Sequence, residues 1–468
     1  MTMRFLPFAM VLPLGLTACT VGPNYAGPPK SSAALANPAF ARGDDAVTSG
    51  PALARWWEPL NDPQLSALID AALAHNPSID EAQARIREAS AILRQRQAAG
   101  LPTVAPSFMA AHLDIPPISG SGDRTSFTFY NLGATASWEP DLWGADRRNN
   151  EAARATIGQR QASLADTQVS LSAQVAQAYV NLRDAQTRKA LLVALAERQS
   201  HALDLTKQRQ AAGTATQQDV ERAQADLQST LAQGAPLQAQ AEVAMNQLAV
   251  LTGQAPGALD AQLGAAQPIP TLPAQVAIGD PARLIAQRPD VRVAERALAA
   301  STAQIGVNKA KLLPNISFTG ILGLGGSKLG DLVDPSMGAW GLLPQLKWSG
   351  LDWGKAHAVL RQSEAQRDTA EAQYRSAVLK ALEDAESSLS RFGAARQRLA
   401  HLAQGEAAAQ RDEALGAQRV AAGTASGLEQ IGRENARLQA GLSLAQANAD
   451  LTLDFIAVNK ALGLGWHD

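Results

Sequence analysis

The chain is written twice. At a spacing of about 210 residues the same landmarks recur in the same order, which sets the organisation before any fold is chosen. Asn76-Pro77 returns as Arg288-Pro289, and Leu101-Pro102 as Leu313-Pro314. Asp141-Leu142-Trp143-Gly144 returns, with a local shift, as Leu351-Asp352-Trp353-Gly354. The segment from Gln210 to Ala215 is echoed from Val420 to Ala425, and Leu251-Thr252-Gly253 by Ala461-Leu462-Gly463. Two copies of one unit, 62–253 and 280–463, are thus joined by a Pro/Gly/Ala-rich linker at 254–279 and followed by a short tail, 464–468.

Both copies follow one plan. A helical stretch comes first, Asp80 to Ala99 and Asp290 to Leu312, and Leu-Pro ends it because proline cannot continue a helix. Two β-like segments follow, expected as hairpins over about 103–140 and 315–349. Tyr130, Leu132, Ala134, Ala136 and Trp138 alternate with small or polar residues, as do Ile316, Phe318, Leu322 and Leu324, and Trp340, Leu342, Leu346 and Trp348. A period of two with aromatics near the ends fits a strand facing lipid on one side and a polar lumen on the other, or a half-buried soluble strand. Pro106 and Pro344 weaken the strands that hold them.

Each copy then turns to helical hairpins, over about 145–253 and 355–463. Leu171, Val175, Ala178, Leu182, Ala185, Leu192, Ala196 and Leu203 share one seam; Leu382, Ala385, Leu389, Phe392, Leu399 and Ala403 share the other, with Lys189, Gln199 and Arg396 interrupting. Some 67 residues at 1.5 Å each make a rod of roughly 100 Å, which reads as coiled coil. Ala212-Gly213-Thr214 and Ala422-Gly423-Thr424 break the rods. Glycine suits the left-handed position after a helix, and threonine is expected to cap the returning one. Gly234-Ala235-Pro236 is expected to interrupt the first return.

Residues 1–18 read as an export signal, with Arg4 before a short apolar run too brief to span a bilayer as a helix. Leu16-Thr17-Ala18-Cys19 resembles the bacterial lipobox. Cys19 is the only cysteine, so it has no disulfide partner and is expected to carry a diacylglycerol and an acyl chain. The segment 19–61 then reads as an extended tether.

Composition narrows the class. The chain is 46% hydrophobic but only 4% aromatic, and alanine is far above its usual share, which suits long, closely packed helices. A net charge of -2 argues against nucleic acid as a partner. The six histidines are scattered with no metal-ligand spacing, and no nucleophile elbow or phosphate loop appears, so no catalytic residue, metal or other cofactor is expected. Phe127, Phe129, Tyr130, Trp138, Trp143, Phe318, Trp340, Trp348 and Trp353 gather in or beside the strands, where interface girdles would need them.

Four strands cannot close a barrel, and open edges are not tolerated in lipid, so several chains would have to pool them. The lipobox, the duplicated unit, the paired strand–Trp-Gly–helix junctions, the Gly-Thr tips and the ending Ala461-Leu462-Gly463-Leu464-Gly465-Trp466 together resemble the outer-membrane factor (TolC-like) family, in its NodT/OprM-like lipoprotein branch. The resemblance implies a mainly α fold with a small transmembrane β part. It implies a homotrimer whose strands form one twelve-stranded barrel continued by an α-helical barrel. It further implies an outer-membrane exit duct reaching into the periplasm, docked to a periplasmic adaptor (a membrane fusion protein) and an inner-membrane pump of RND type. On that pattern Ala212, Gly213, Thr214, Ala422, Gly423 and Thr424 are the adaptor-docking tips. Asp204, Asp412 and Glu413 are candidates for a periplasmic constriction, and Trp143, Gly144, Trp353 and Gly354 mark the strand-to-helix junctions. The competing class is a lipid-anchored periplasmic coiled-coil scaffold without a channel.

Overall fold

The structure is a computed structural model describing residues 20–29, 40–42, 47–48, 53–116, 123–273, 275–278 and 280–466. The signal segment and Cys19 lie outside the described residues. A two-residue strand β1 (Val47–Thr48) precedes helices α1 (Pro63–His75) and α2 (Pro77–Ala99), then strands β2 (Thr103–Ile115) and β3 (Thr125–Trp138). Helices α3 (Ala145–Ala211), α4 (Gln217–Leu251) and α5 (Asp260–Leu263) and strand β4 (Val276–Ala277) complete the first copy and the linker. The second copy runs α6 (Pro281–Gln287), α7 (Pro289–Ala310), β5 (Asn315–Gly326), β6 (Gly338–Lys347), α8 (Lys355–Ala421) and α9 (Gly427–Ala461). The two long helices are 67 residues each and their returns 35 each.

Contacts divide the chain into two units. One, Met1–Pro29, Ile86–Gln159 and Glu295–Gln373, holds an antiparallel sheet in the order β2-β3-β5-β6. The other, Lys30–Arg85, Arg160–Ala294 and Tyr374–Asp468, is helical and holds the main apolar core. In that core Leu171, Val175, Ala178, Leu182, Ala185, Leu192 and Leu203 of the expected α3 seam are buried, whereas Ala403 of the α8 seam is exposed.

Sequence duplication becomes structural equivalence at the helix joints of the second unit. Asp62 and Asp280 each accept from a backbone N–H three residues on, with proline at the first helical position, and so start α1 and α6 alike. Asn76 Nδ2 donates to Leu251 O at 2.8 Å, at the end of α4. Arg288, its counterpart, donates to Ala461 O at the end of α9 and to Ala381 O at 3.2 Å. Both supply a partner to carbonyls that a helix C-terminus leaves bare.

Two expectations need correction. Gly234-Ala235-Pro236 does not break α4, which runs through Pro236. The proline sits on an exposed stretch where water can serve the released carbonyl, and Thr230 and Leu237, buried on either side, hold the turns together. The segment read as a tether is packed along its described residues: Trp56 and Trp57 are 2% and 1% exposed. Trp56 meets Phe455 edge-on at 6.0 Å, and Ala41 N and Arg42 N both donate to the Glu386 carboxylate at 2.8 Å. Pro106 and Pro344 fall within β2 and β6, the two outer strands of the sheet, where a missing N–H is tolerated.

Candidate functional site

Cross-strand partners lie on the same face of a sheet, so the register sorts every strand residue. Val104↔Ala136, Phe108↔Leu132, Leu132↔Leu324, Ala134↔Leu322, Trp138↔Phe318 and Leu322↔Trp340 trace one apolar face. Thr103↔Ser137, Ser137↔Thr319, Ser107↔Gly133, Gly133↔Gly323 and Ser317↔Gln345 trace a mostly small and polar opposite face, which also carries Met109, Ile321 and Leu343. Trp340 on the apolar face is 81% exposed. Tyr130, Trp138, Phe318 and Trp340 lie on that face, as an interface girdle requires, while Trp348 follows the end of β6. Phe127 and Phe129 do not: their odd position in β3 puts them on the other side, a correction that only the register supplies.

At the base of the sheet the two copies are tied alike. Trp138 Nε1 donates to Gly100 O at 3.3 Å and Trp348 Nε1 to Leu312 O at 3.0 Å, linking each strand to the end of the helix before its hairpin. Alternation marks these tryptophans as apolar-face residues but carries no sign of their N–H partners. The junctions beyond them diverge. Trp143 Nε1 donates to Pro314 O at 2.8 Å, whereas Trp353 is wholly exposed and has φ 57°, a left-handed conformation followed by Gly354 at 94°. Asp141 accepts from Arg147 N at 3.1 Å and Asp352 from Ala356 N at 3.0 Å, so an aspartate starts each long helix.

The first junction also receives the start of the described chain. Val21 N donates to Trp143 O at 3.1 Å, and Thr20 lies against Gly144. Arg148, buried, donates to Val21 O at 3.2 Å, to Gly22 O at 3.2 Å and to Asn24 Oδ1 at 2.7 Å, while Glu151 neutralises it at 2.7 Å. Gly22 passes so close to Gly306 that a Cβ there would come within 2.4 Å of backbone.

At the opposite ends of the long helices both tips close identically. Gly213 and Gly423 adopt φ 76° and 69°, Thr214 N donates to Arg209 O at 2.8 Å and Thr424 N to Arg419 O at 2.9 Å. These are the bonds that finish a helix through a left-handed residue. Thr214 and Thr424 therefore serve the ending helix, their hydroxyls donating to the same carbonyls at 3.0 and 3.1 Å. The expectation that they cap the returning helix is corrected. Thr216 and Ser426 do that, each in a reciprocal box with Asp219 or Glu429. The Thr-x-x-Asp and Ser-x-x-Glu spacings were readable in the sequence. The Thr216 N–H and hydroxyl hold the exposed Asp219 carboxyl below the usual carboxylate range. Leu205, Arg209, Ala212, Thr214, Ser426 and Leu428 line an open cleft of about 830 Å³ that brings the two tips together.

Of the candidate constriction residues, Asp204 is exposed on α3. Asp412 lies 3.4 Å from Arg433, and Glu413 pairs with Arg437. Arg433 and Arg437 both belong to α9, so each acidic group has a cation from the returning helix beside it. Arg198 of α3 lies 3.5 Å from Glu434 of α9, joining the two hairpins. Among the described residues no group of three or more His, Cys, Asp or Glu could hold a metal ion, and no helix is long and apolar enough to cross a membrane.

A four-stranded sheet with an apolar face, a largely polar face and, among the described residues, two unpaired edges, in a chain that also carries two 67-residue helices, defines the class of an outer-membrane channel subunit. The chain belongs to the Outer membrane efflux protein family, which matches residues 68–254 and 281–464 and thus both copies of the repeat. Nodulation protein T of Rhizobium leguminosarum bv. trifolii is 29% identical over 98% of this chain and 97% of its own length. The solvent efflux pump outer membrane protein SrpC of Pseudomonas putida is 27% identical over 99% of each chain. Among solved structures, the outer-membrane channel OprN matches with a TM-score of 0.85 and 34% identity over 96% of this chain and 100% of that one.

Proposed function

We propose that this chain is the outer-membrane exit duct of a tripartite efflux system, carrying drugs or other small toxic compounds passively across the outer membrane. The observation that carries this reading is the four-stranded sheet with both edges unpaired among the described residues. Open edges are untenable in lipid, and three copies supply the twelve strands that close one barrel. The polar face then lines a wet lumen. Names of relatives that include solvent efflux support an export role.

An adaptor docks at the paired tips, supported by the open cleft between Ala212, Thr214 and Ser426. An inner-membrane pump of RND type supplies the energy, since nothing in a passive duct does. Cys19 carries the lipid anchor. That assignment is supported by Thr20 and Val21 lying at the first strand-to-helix junction, the level at which lipid headgroups would meet the protein. The duct works as a channel and not as an enzyme.

The test is reconstitution of the mature lipoprotein in planar bilayers with gel analysis of unheated samples. A duct gives a heat-dissociable trimer and ion conductance, and its deletion sensitises the host to compounds exported by the adjacent pump. A detergent-free soluble monomer from a Cys19→Ser form would overturn the reading.

A further inference from the structure

The sidedness of the first β-hairpin reverses partway along its length. From Trp138 to Tyr130 the apolar side chains of β3 are those at even positions, and Asn131, Gly133, Thr135 and Ser137 occupy the other face. Beyond Tyr130 the even face becomes polar, with Thr128 and Ser126 opposite His112 and Asp114. His112 Nδ1 and Thr128 Oγ1 are 2.9 Å apart, and Arg124 Nε donates to Asp114 at 2.8 Å. The odd face becomes apolar over the same stretch. Phe129 stands opposite Ala111, Phe127 opposite Leu113, and Ile115 follows. Phe127, Leu113 and Ile115 are 45%, 45% and 43% exposed. The second hairpin has no such strand extension: β5 ends at Gly326, the partner of Tyr130, and the chain turns through two short 3-10 helices, Leu329–Val333 and Pro335–Met337, the first of them against β3 and β5.

A strand in hydrocarbon keeps its apolar side outward, so the reversal marks where the hairpin leaves the bilayer. The eight residue steps from Trp138 to Tyr130 span about 27 Å along the strand, or roughly 20 Å of height at barrel tilt, close to the usual apolar band. Above that level the outer side meets water and the apolar side turns to the duct axis. We propose that the outward ends of the first hairpins from three copies of this chain face one another around the axis, where Phe127, Phe129, Leu113 and Ile115 form an apolar collar that narrows the outer mouth. The occupant of each exposed apolar face is the matching hairpin of the other two copies. Barrel closure already places those hairpins around one axis, and β2 stands at the edge through which closure occurs. Such a ring resists wetting, so it limits ions and large polar solutes while apolar exported compounds slide past it.

This inference rests on the duct reading, and the experiment separates the two. In planar bilayers the full-length lipoprotein with Phe127→Ser and Phe129→Ser, still trimeric on unheated gels, is expected to conduct about 1.5-fold or more above the unaltered protein. It should also admit vancomycin into cells that the unaltered duct protects. In a second arm, a bulky maleimide–polyethylene glycol added from the outer side should block current through a Phe127→Cys channel. The same reagent should label Thr128→Cys, on the opposite face, without blocking it. Equal conductance of the serine variant, or equal block at positions 127 and 128, overturns the collar while leaving the duct intact. An unaltered protein that does not conduct overturns both.

Discussion

The helical unit and the sheet-bearing unit use the same side chains in opposite ways. Trp56 and Trp57 are all but sealed among Leu60, Phe455 and the middle of α3, whereas Trp340 and Trp353 stand 81% and 104% exposed. In the helical unit one chain provides all the apolar cover its core requires. In the sheet unit the apolar face is complete as a surface yet left exposed among the described residues, as a face that meets lipid would be. A water-soluble fold would bury that face, and the helical unit shows that this chain can build such a core.

The comparison can be broken most forcefully in the core. Trp56→Ala removes the ring that meets Trp57 at 5.7 Å and Phe455 at 6.0 Å, and is expected to destabilise by about 3–5 kcal/mol. Thermal dissociation and unfolding followed by circular dichroism would measure the loss. A next, smaller effect separates the two faces of β5. Leu322→Arg places a charge on the apolar face and should lower assembly into the membrane by about 2–4 kcal/mol if near the bilayer centre. Ile321→Arg, one residue earlier on the opposite face, should assemble normally and shift ion selectivity toward anions. Equal damage from both substitutions would refute the sidedness assigned from the register.

The tips come third. Gly213→Val and Gly423→Val each force a β-branched residue to φ 76° or 69°, with open space around the added Cβ. Each should cost roughly 1–2 kcal/mol locally while leaving trimers and conductance intact. If the tips dock an adaptor, both lower drug resistance, and cross-linking to the adaptor falls in parallel. The smallest expected effect concerns Asp184, whose carboxyl is pushed up by burial, against the pull of Arg188, and whose Oδ1 has no hydrogen-bond partner among the described residues. A raised carboxyl favours folding less above its folded value than below it. Asp184→Asn should therefore give a slight gain in thermal stability at neutral pH. That gain shrinks as pH falls through the raised value and is gone below the ordinary 3.8.

Much of the architecture was legible because it is periodic. The 67-residue helices, the four strands and the tip glycines follow from spacings of three to four, of two, and from a single residue type suited to left-handed backbone. The burial of Trp56 and Trp57 within the segment read as a tether was not legible, for the opposite reason. They sit in a short Pro/Gly/Ala-rich region without period, and their partner Phe455 lies almost at the other end of the chain. Thr214 and Thr424 were misassigned because a threonine beside a glycine can close one helix or open the next, and only the hydrogen bonds decide. Asp412 and Glu413 were visible as acids, but the arginines that neutralise them come from another helix.

The sequence alone determined that this chain is a doubled unit of strand pairs and long helical hairpins, since local periodicity and repetition are written residue by residue. Tertiary structure alone decided which face each strand residue takes above and below Tyr130, that Arg148 holds the incoming N-terminal segment at the first junction, and that Asn76 and Arg288 finish equivalent helices. Those outcomes depend on partners far away in sequence, and a side chain's neighbours across such distances are set by register and packing, which no local pattern encodes.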